Sequence, residues 1–122
     1  MKLQMISKLL IVGALAILCV TGTRRVTAAD APRRIEIVAK RFSFTPSEIT
    51  LKKGEPVVLV LHSEDVPHGI KFKELNLQTE IGKGTPSELA FTPAVTGDFV
   101  GHCSRFCGSG HGSMTLTLHV TE

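Results

Sequence analysis

From Arg34 onward, apolar and polar residues alternate with a period of two, and turn-forming residues interrupt the alternation at short intervals. The clearest example is 114–120, in which every second residue is apolar. Residues 57–61 instead form an unbroken apolar run, as expected of a strand buried on both faces. No segment has a convincing helical period over 11 residues. The pattern therefore predicts an all-β domain, folded as a sandwich or barrel of short strands.

The first 29 residues differ from the rest and predict an apolar leader helix. Lys2 and Lys8 flank the start of an uncharged run at 9–23. This run is short for a membrane span of about 20 residues and lies at the upper end of a signal-peptide core of about 7–15. Small residues at 27–29 suit signal cleavage. We interpret residues 1–29 as a signal peptide, with a membrane anchor at 9–23 as the alternative, and 30–122 as the folded domain.

Either interpretation predicts a periplasmic or extracytoplasmic domain, soluble after cleavage or held at the membrane. The chain carries a net charge of +3, but from Asp30 onward 10 basic residues face 11 acidic ones, so the domain itself is at −1. It lacks the clustered Lys and Arg surface that a nucleic-acid partner requires. The length of the domain is sufficient for a two-sheet sandwich with one core.

Every sulfur atom of residues 30–122 lies in one glycine-rich window, Cys103–Met114, which reads C-x3-C-x3-H-x2-M. Thiolate, thioether and imidazole together favour copper over magnesium, calcium or manganese. The C-x2-C spacing of zinc ribbons and the haem-attachment sequence C-x-x-C-H are both absent. In an exported domain the two cysteines could instead form a disulfide, although a disulfide explains neither His111 nor Met114.

His68 is the best candidate for a further ligand, because it follows a proline-containing turn after the buried strand. A mononuclear blue-copper site would use His68, Cys107, His111 and Met114, and would leave Cys103 unexplained. A binuclear site would use both thiolates as bridges, with one histidine for each ion and two weak ligands. The remaining histidines are interpreted as structural, with His102 the most plausible group to support a ligand.

The segments DVPHG and CSRFCGSGHGSM resemble the CuA-bearing cupredoxin domain of cytochrome c oxidase subunit II, and the similarity extends over Ile35–Glu122. The resemblance implies a cupredoxin-like Greek-key β-sandwich with a mixed-valence pair of copper ions that passes single electrons. It implies a redox partner such as a c-type cytochrome or an oxidase subunit I, with possible membrane association. The ligands that it implies are His68, Cys103, the backbone carbonyl of Arg105, Cys107, His111 and Met114.

Two features depart from that family. Arg105 stands where most members have glutamate, and the chain has no tryptophan or tyrosine, so that Arg41-Phe42-Ser43-Phe44 is the nearest match to the usual aromatic cluster. A copper-delivery cupredoxin and a mononuclear blue-copper electron carrier therefore remain alternative functions. We do not expect the domain to be catalytic alone, because the ligands saturate the metal. The sequence leaves open whether it is the electron-entry subunit of a terminal oxidase.

Overall fold

The computed structural model describes Gly22 and residues 31–122, so the leader helix, the signal peptide and the anchor all fall outside the described residues. Nine strands make up most of the described part, with short 3-10 turns at Lys73–Leu75 and His111–Ser113. The strands are β1 Arg33–Lys40, β2 Ser43–Thr45, β3 Glu48–Lys52, β4 Val57–Ser63, β5 His68–Phe72, β6 Leu77–Ile81, β7 Ser87–Phe91, β8 Gly97–His102 and β9 Thr115–Thr121. Within the described residues, no helix is long and apolar enough to cross a membrane.

The strands form two sheets, which confirms the prediction of an all-β sandwich. One sheet has the order β2-β1-β4-β7 and the other has the order β3-β9-β8-β5-β6. Two pairs of neighbouring strands are parallel, β1 with β4 and β3 with β9, and the others are antiparallel. Parallel neighbours cannot be joined by a tight hairpin, so the chain crosses between the sheets to make them.

The core lies between the sheets and follows the alternation of the strands. In β9, Leu116, Leu118 and Val120 point into it, as their spacing predicts. In β4 all five residues at 57–61 are buried, but only the alternate residues Val57, Leu59 and Leu61 belong to the central cluster. Val58 and Val60 are also buried, which confirms the prediction of a strand buried on both faces. An unbroken apolar run contains no polar residue to show which face of the strand is which.

One end of the sandwich gathers the segments that carry the candidate ligands. Strands β1, β4 and β8 end there, and β5 and β9 begin there. The alternation predicted for Ile35 to Phe44 does not run through a single strand, because a turn at Arg41 and Phe42 separates β1 from β2. Phe44 on β2 is buried in the core, while Phe42 in the turn is directed to the segment after Cys107.

Candidate metal centre

Three of the candidate ligands are fixed by the ends of strands. His68 is the first residue of β5, Cys103 directly follows β8, and Met114 directly precedes β9. The amide of Cys103 donates a hydrogen bond to the carbonyl of Met114 at 3.1 Å, which extends the pairing of β8 with β9 by one step. All three side chains are buried, with at most 5% of each exposed. Their positions are therefore set by the same packing that forms the sandwich.

Both cysteines are free thiols in this arrangement. The Sγ atoms of Cys103 and Cys107 lie 3.8 Å apart, well beyond the disulfide bond length of about 2.05 Å. Together with a ring nitrogen of His68, they form a group of three possible ligand atoms that all lie within 4.8 Å of one another. The disulfide considered from the sequence is absent from the structure.

The other predicted donors divide between the two thiols. Cys103 Sγ lies 3.9 Å from His68 Nδ1 and 3.1 Å from the carbonyl oxygen of Arg105. Cys107 Sγ lies 3.8 Å from His111 Nδ1 and 3.9 Å from Met114 Sδ. The fold thus brings all six predicted donors together. They contain no carboxylate, and a soft set of sulfur and imidazole donors fits copper.

Asp65 holds His68 from the side away from the thiols. Its Oδ1 lies 2.8 Å from His68 Nε2, and its Oδ2 accepts the backbone N–H of Arg41 at 2.8 Å. A hydrogen bond to one ring nitrogen fixes the tautomer and orientation of a ligating histidine, here leaving Nδ1 directed to Cys103. Burial alone would raise the pKa of the Asp65 carboxyl, but the hydrogen bonds from Arg41, His68 and Val66 outweigh it and lower that pKa. This role of Asp65 was not predicted from the sequence.

The turn between β1 and β2 holds the segment that follows Cys107. Arg41 Nε donates to the carbonyl of Cys107 at 2.7 Å. The ring of Phe42 occupies the space beside two glycines, such that a Cβ on Gly110 would lie 2.4 Å from it and one on Gly108 would lie 2.9 Å from it. Gly108 also has a φ of 140°, which disfavours any other residue. These glycines therefore make room for Phe42, a reason that the sequence did not reveal.

Gly69 allows the segment after Cys103 to lie against β5. Its carbonyl accepts the amide of Ser104 at 3.2 Å, and a Cβ on Gly69 would lie only 2.3 Å from Ser104 Oγ. This close approach places the carbonyl of Arg105 beside Cys103 Sγ. A glycine in the DVPHG segment is consequently part of how the backbone donor is positioned.

The solvent side of the site is more open. His111 is half-buried, and its ring lies 5.7 Å from the ring of Phe106, which is 78% exposed. The side chain of Arg105 points to solvent and pairs with Glu80 at 3.5 Å. His102 is exposed on the strand face opposite to Cys103, as the alternation predicts. His62 and His119 instead make hydrogen bonds to carboxylates, His62 to Glu36 and His119 to Asp98.

Burial, followed by the hydrogen bond and charge of Cys103, raises the pKa of the Cys107 thiol to about 11. The thiol is therefore protonated at neutral pH when no metal is bound. Metal ligands must be deprotonated, so copper binding at this residue would release a proton.

The model of the cupredoxin-like domain family matches residues 8–116. The chain belongs to the cupredoxin-like family. This cupredoxin-like chain is 30% identical over 88 residues to cytochrome c oxidase subunit 2 of Thermus thermophilus, a match that covers 72% of the chain. The same alignment covers 65% of that relative and 52% of a second subunit 2 from the same species, so the chain spans only part of their length.

Two solved structures show the same fold. The periplasmic domain of oxidase subunit II (CoxB) of Bradyrhizobium japonicum has a TM-score of 0.68 and 21% identity, covering 80% of this chain and 88% of that one. The metal-binding domain of the Cu(I)-exporting P-type ATPase CopA of Streptococcus pneumoniae has a TM-score of 0.58 and 26% identity, covering 73% of this chain and 85% of that one. The cupredoxin-like prediction from the sequence is confirmed, and so is the relation to oxidase subunit II.

Proposed function

We propose that this cupredoxin-like domain holds a binuclear CuA-type copper centre and transfers single electrons in an extracytoplasmic compartment. One observation carries the proposal: each thiol has its own histidine and its own weak donor. Cys103 has His68 and the carbonyl of Arg105, and Cys107 has His111 and Met114. A mononuclear site would leave the donors around Cys103 without a role.

The six donors would hold the metal as the resemblance implies, with both thiolates shared between the ions. Bound copper would supply the redox chemistry, a one-electron change spread over a mixed-valence pair. The chain's own contribution is rigidity, since His68, Cys103 and Met114 adjoin paired strands and Asp65 fixes the outer nitrogen of His68. Ligands that are already in place limit the rearrangement that accompanies each electron.

The likeness to oxidase subunit II supports a redox partner such as a c-type cytochrome or an oxidase subunit I. The periplasmic location of the Bradyrhizobium domain supports export, with residues 1–29 acting as signal peptide or, through 9–23, as anchor. The chain would then be the electron-entry component of a larger oxidase or a separate carrier, and in neither case catalytic alone.

Copper stoichiometry and absorption spectra test the proposal. The wild-type chain should bind about two copper ions and become purple, and Cys103→Ser should bind about one, because it retains only the mononuclear donor set. Arg105→Met is the control, since it keeps the backbone carbonyl that is the predicted donor and should leave the count unchanged. A wild-type protein with a single copper ion and a blue colour would refute the binuclear centre.

Copper delivery is the second candidate, and the likeness to the Cu(I) exporter domain favours it. A delivery protein should lose Cu(I) within minutes to a competing Cu(I) chelator and should not exchange electrons with a c-type cytochrome. An electron carrier should show the opposite behaviour in both measurements.

A further inference from the structure

A surface hollow of about 330 Å³ lies beside the candidate centre, and its lining is cationic. Lys71, Lys73, His102, Cys103 and Ser104 line it, and we call it the cationic hollow. A second hollow of about 260 Å³ shares Lys71 and Ser104 with it.

Among the described residues, the lining of the cationic hollow contains no carboxylate. Lys71 and Lys73 are exposed, and among the residues that the structure describes neither forms an ion pair. Glu80 lines the second hollow but pairs with Arg105, a further cation beside the same loop. Glu74, next to Lys73 in the 3-10 turn, is not part of the lining. A partner that brings carboxylates would therefore meet uncompensated positive charge.

The hollow also reaches one of the candidate copper ligands, Cys103. Lys71 on β5 is the register partner of His102 on β8, and Cys103 is the next residue. A protein bound there would touch the segment 102–104 and approach Cys103, which is 5% exposed. Phe106, two residues beyond Ser104 on the same loop, is exposed as well.

We propose that the cationic hollow docks the redox partner, and that this partner is an acidic c-type cytochrome with carboxylates around its haem edge. The inference rests on the proposed function and names the charge of the partner. One electron would pass between the haem iron and the copper centre, so that one is oxidised as the other is reduced, with no bond made or broken. Complementary charge raises the association rate and fixes the orientation of such encounters.

Amide NMR titrations of the full-length, metal-free chain with an acidic and a basic c-type cytochrome test the proposal. The acidic cytochrome should shift the signals of Lys71, Lys73, His102 and Ser104, and its binding should weaken with added salt. The double variant Lys71→Glu/Lys73→Glu should weaken that binding at least about tenfold at low ionic strength, because four units of charge change at the contact. Neither lysine is a candidate ligand.

Lys52→Glu/Lys53→Glu is the matched control, since it makes the same change of charge at the opposite end of the sandwich. It should alter the affinity by less than about twofold. Equal weakening in the two double variants would show an effect of net charge alone and overturn the proposal. Tighter binding of the basic cytochrome at the same signals would also overturn it.

Copper stoichiometry, measured on the same variants, separates this inference from the proposed function. If Lys71→Glu/Lys73→Glu binds the acidic cytochrome as tightly as the wild type while about two copper ions are still bound, the cationic hollow alone is refuted. Docking that persists in a chain that binds no copper pair refutes the binuclear centre and leaves the docking site without its redox role.

Discussion

The candidate centre has two halves that are built in different ways. The inner half, His68, Cys103 and Met114, is buried and directly adjoins paired strands. The outer half, His111 with the neighbouring Phe106, lies on the loop that connects β8 to β9, where His111 is half-buried and Phe106 is exposed. The positions of the side chains in the inner half follow directly from the packing of the strands. The positions in the outer half depend instead on the contacts that hold a glycine-rich loop.

Packing explains why the inner half should persist without metal. Cys103 and Met114 belong to the central apolar cluster, so they contribute to the core whether or not copper is present. Cys107 also belongs to this cluster, but His111 and Phe106 do not, and the glycine-rich loop that carries His111 relies on contacts from the turn between β1 and β2. Substitutions should therefore have different consequences in the two halves.

Replacing each of the two candidate ligand histidines by alanine should give the largest difference in stability between the two halves. In the metal-free protein, His68→Ala should lower the free energy of unfolding by about 2–4 kcal/mol, because it leaves a cavity and removes a hydrogen-bond partner of Asp65. His111→Ala should lower it by less than about 1 kcal/mol, since the ring is half-exposed. Urea denaturation measures both values, and equal costs would contradict the division into halves.

A pair of glycines tests how the loop is held. Gly110→Ala should destabilise the protein by about 1–3 kcal/mol, because the new methyl group would displace the ring of Phe42. Gly112→Ala is the control, as its Cβ would meet nothing within 4 Å. Thermal unfolding should separate the two variants by several degrees. If both melt at the wild-type temperature, Phe42 does not hold the loop.

Substitutions of the two arginines near the loop should differ less in their effect on the free energy of unfolding. Arg41→Met removes the hydrogen bond to the carbonyl of Cys107 and should cost about 1 kcal/mol of unfolding free energy. Arg105→Met removes only an exposed ion pair with Glu80 and should change the stability by less than about 0.5 kcal/mol. Chemical denaturation of the metal-free variants checks the order, and a larger effect at Arg105 would reverse our assignment.

Substitution of His119 should have the smallest effect on stability. This residue is remote from both halves of the centre and therefore serves as a reference. The hydrogen bond that His119 donates to Asp98, together with Glu48, raises the pKa of His119. Its stabilising contribution should be complete below the unfolded pKa of about 6.5 and should be lost as the pH rises through the folded value. His119→Gln should flatten this part of the stability-against-pH curve without changing copper binding. An unchanged curve would contradict the assignment.

The sequence indicated which residues meet in the inner half, because two local signals coincide there, and their role as ligands stays a prediction. Period-two alternation identifies the strands, and the spacing from Cys103 to Met114 puts soft donors into one short loop. It could not predict the contacts that orient those donors. Arg41 and Cys107 are 66 residues apart, and Asp65 joins Arg41 to His68 only once the strands have paired. The sequence also could not show which face of β4 points to the central cluster, since Val58 and Val60 are as apolar as their neighbours.

The parallel pairing of β3 with β9 determines when the site can be completed. Glu48 pairs with Thr117 and Lys52 pairs with Thr121. Strand β3, from the first half of the domain, can therefore pair only once the last strand, β9, is available. Contacts between such distant segments form slowly, because a long loop must close before they contribute. Met114 directly precedes β9, and its position is set only when that strand docks. The six donors can consequently be brought together only once β9 is available to pair with β3.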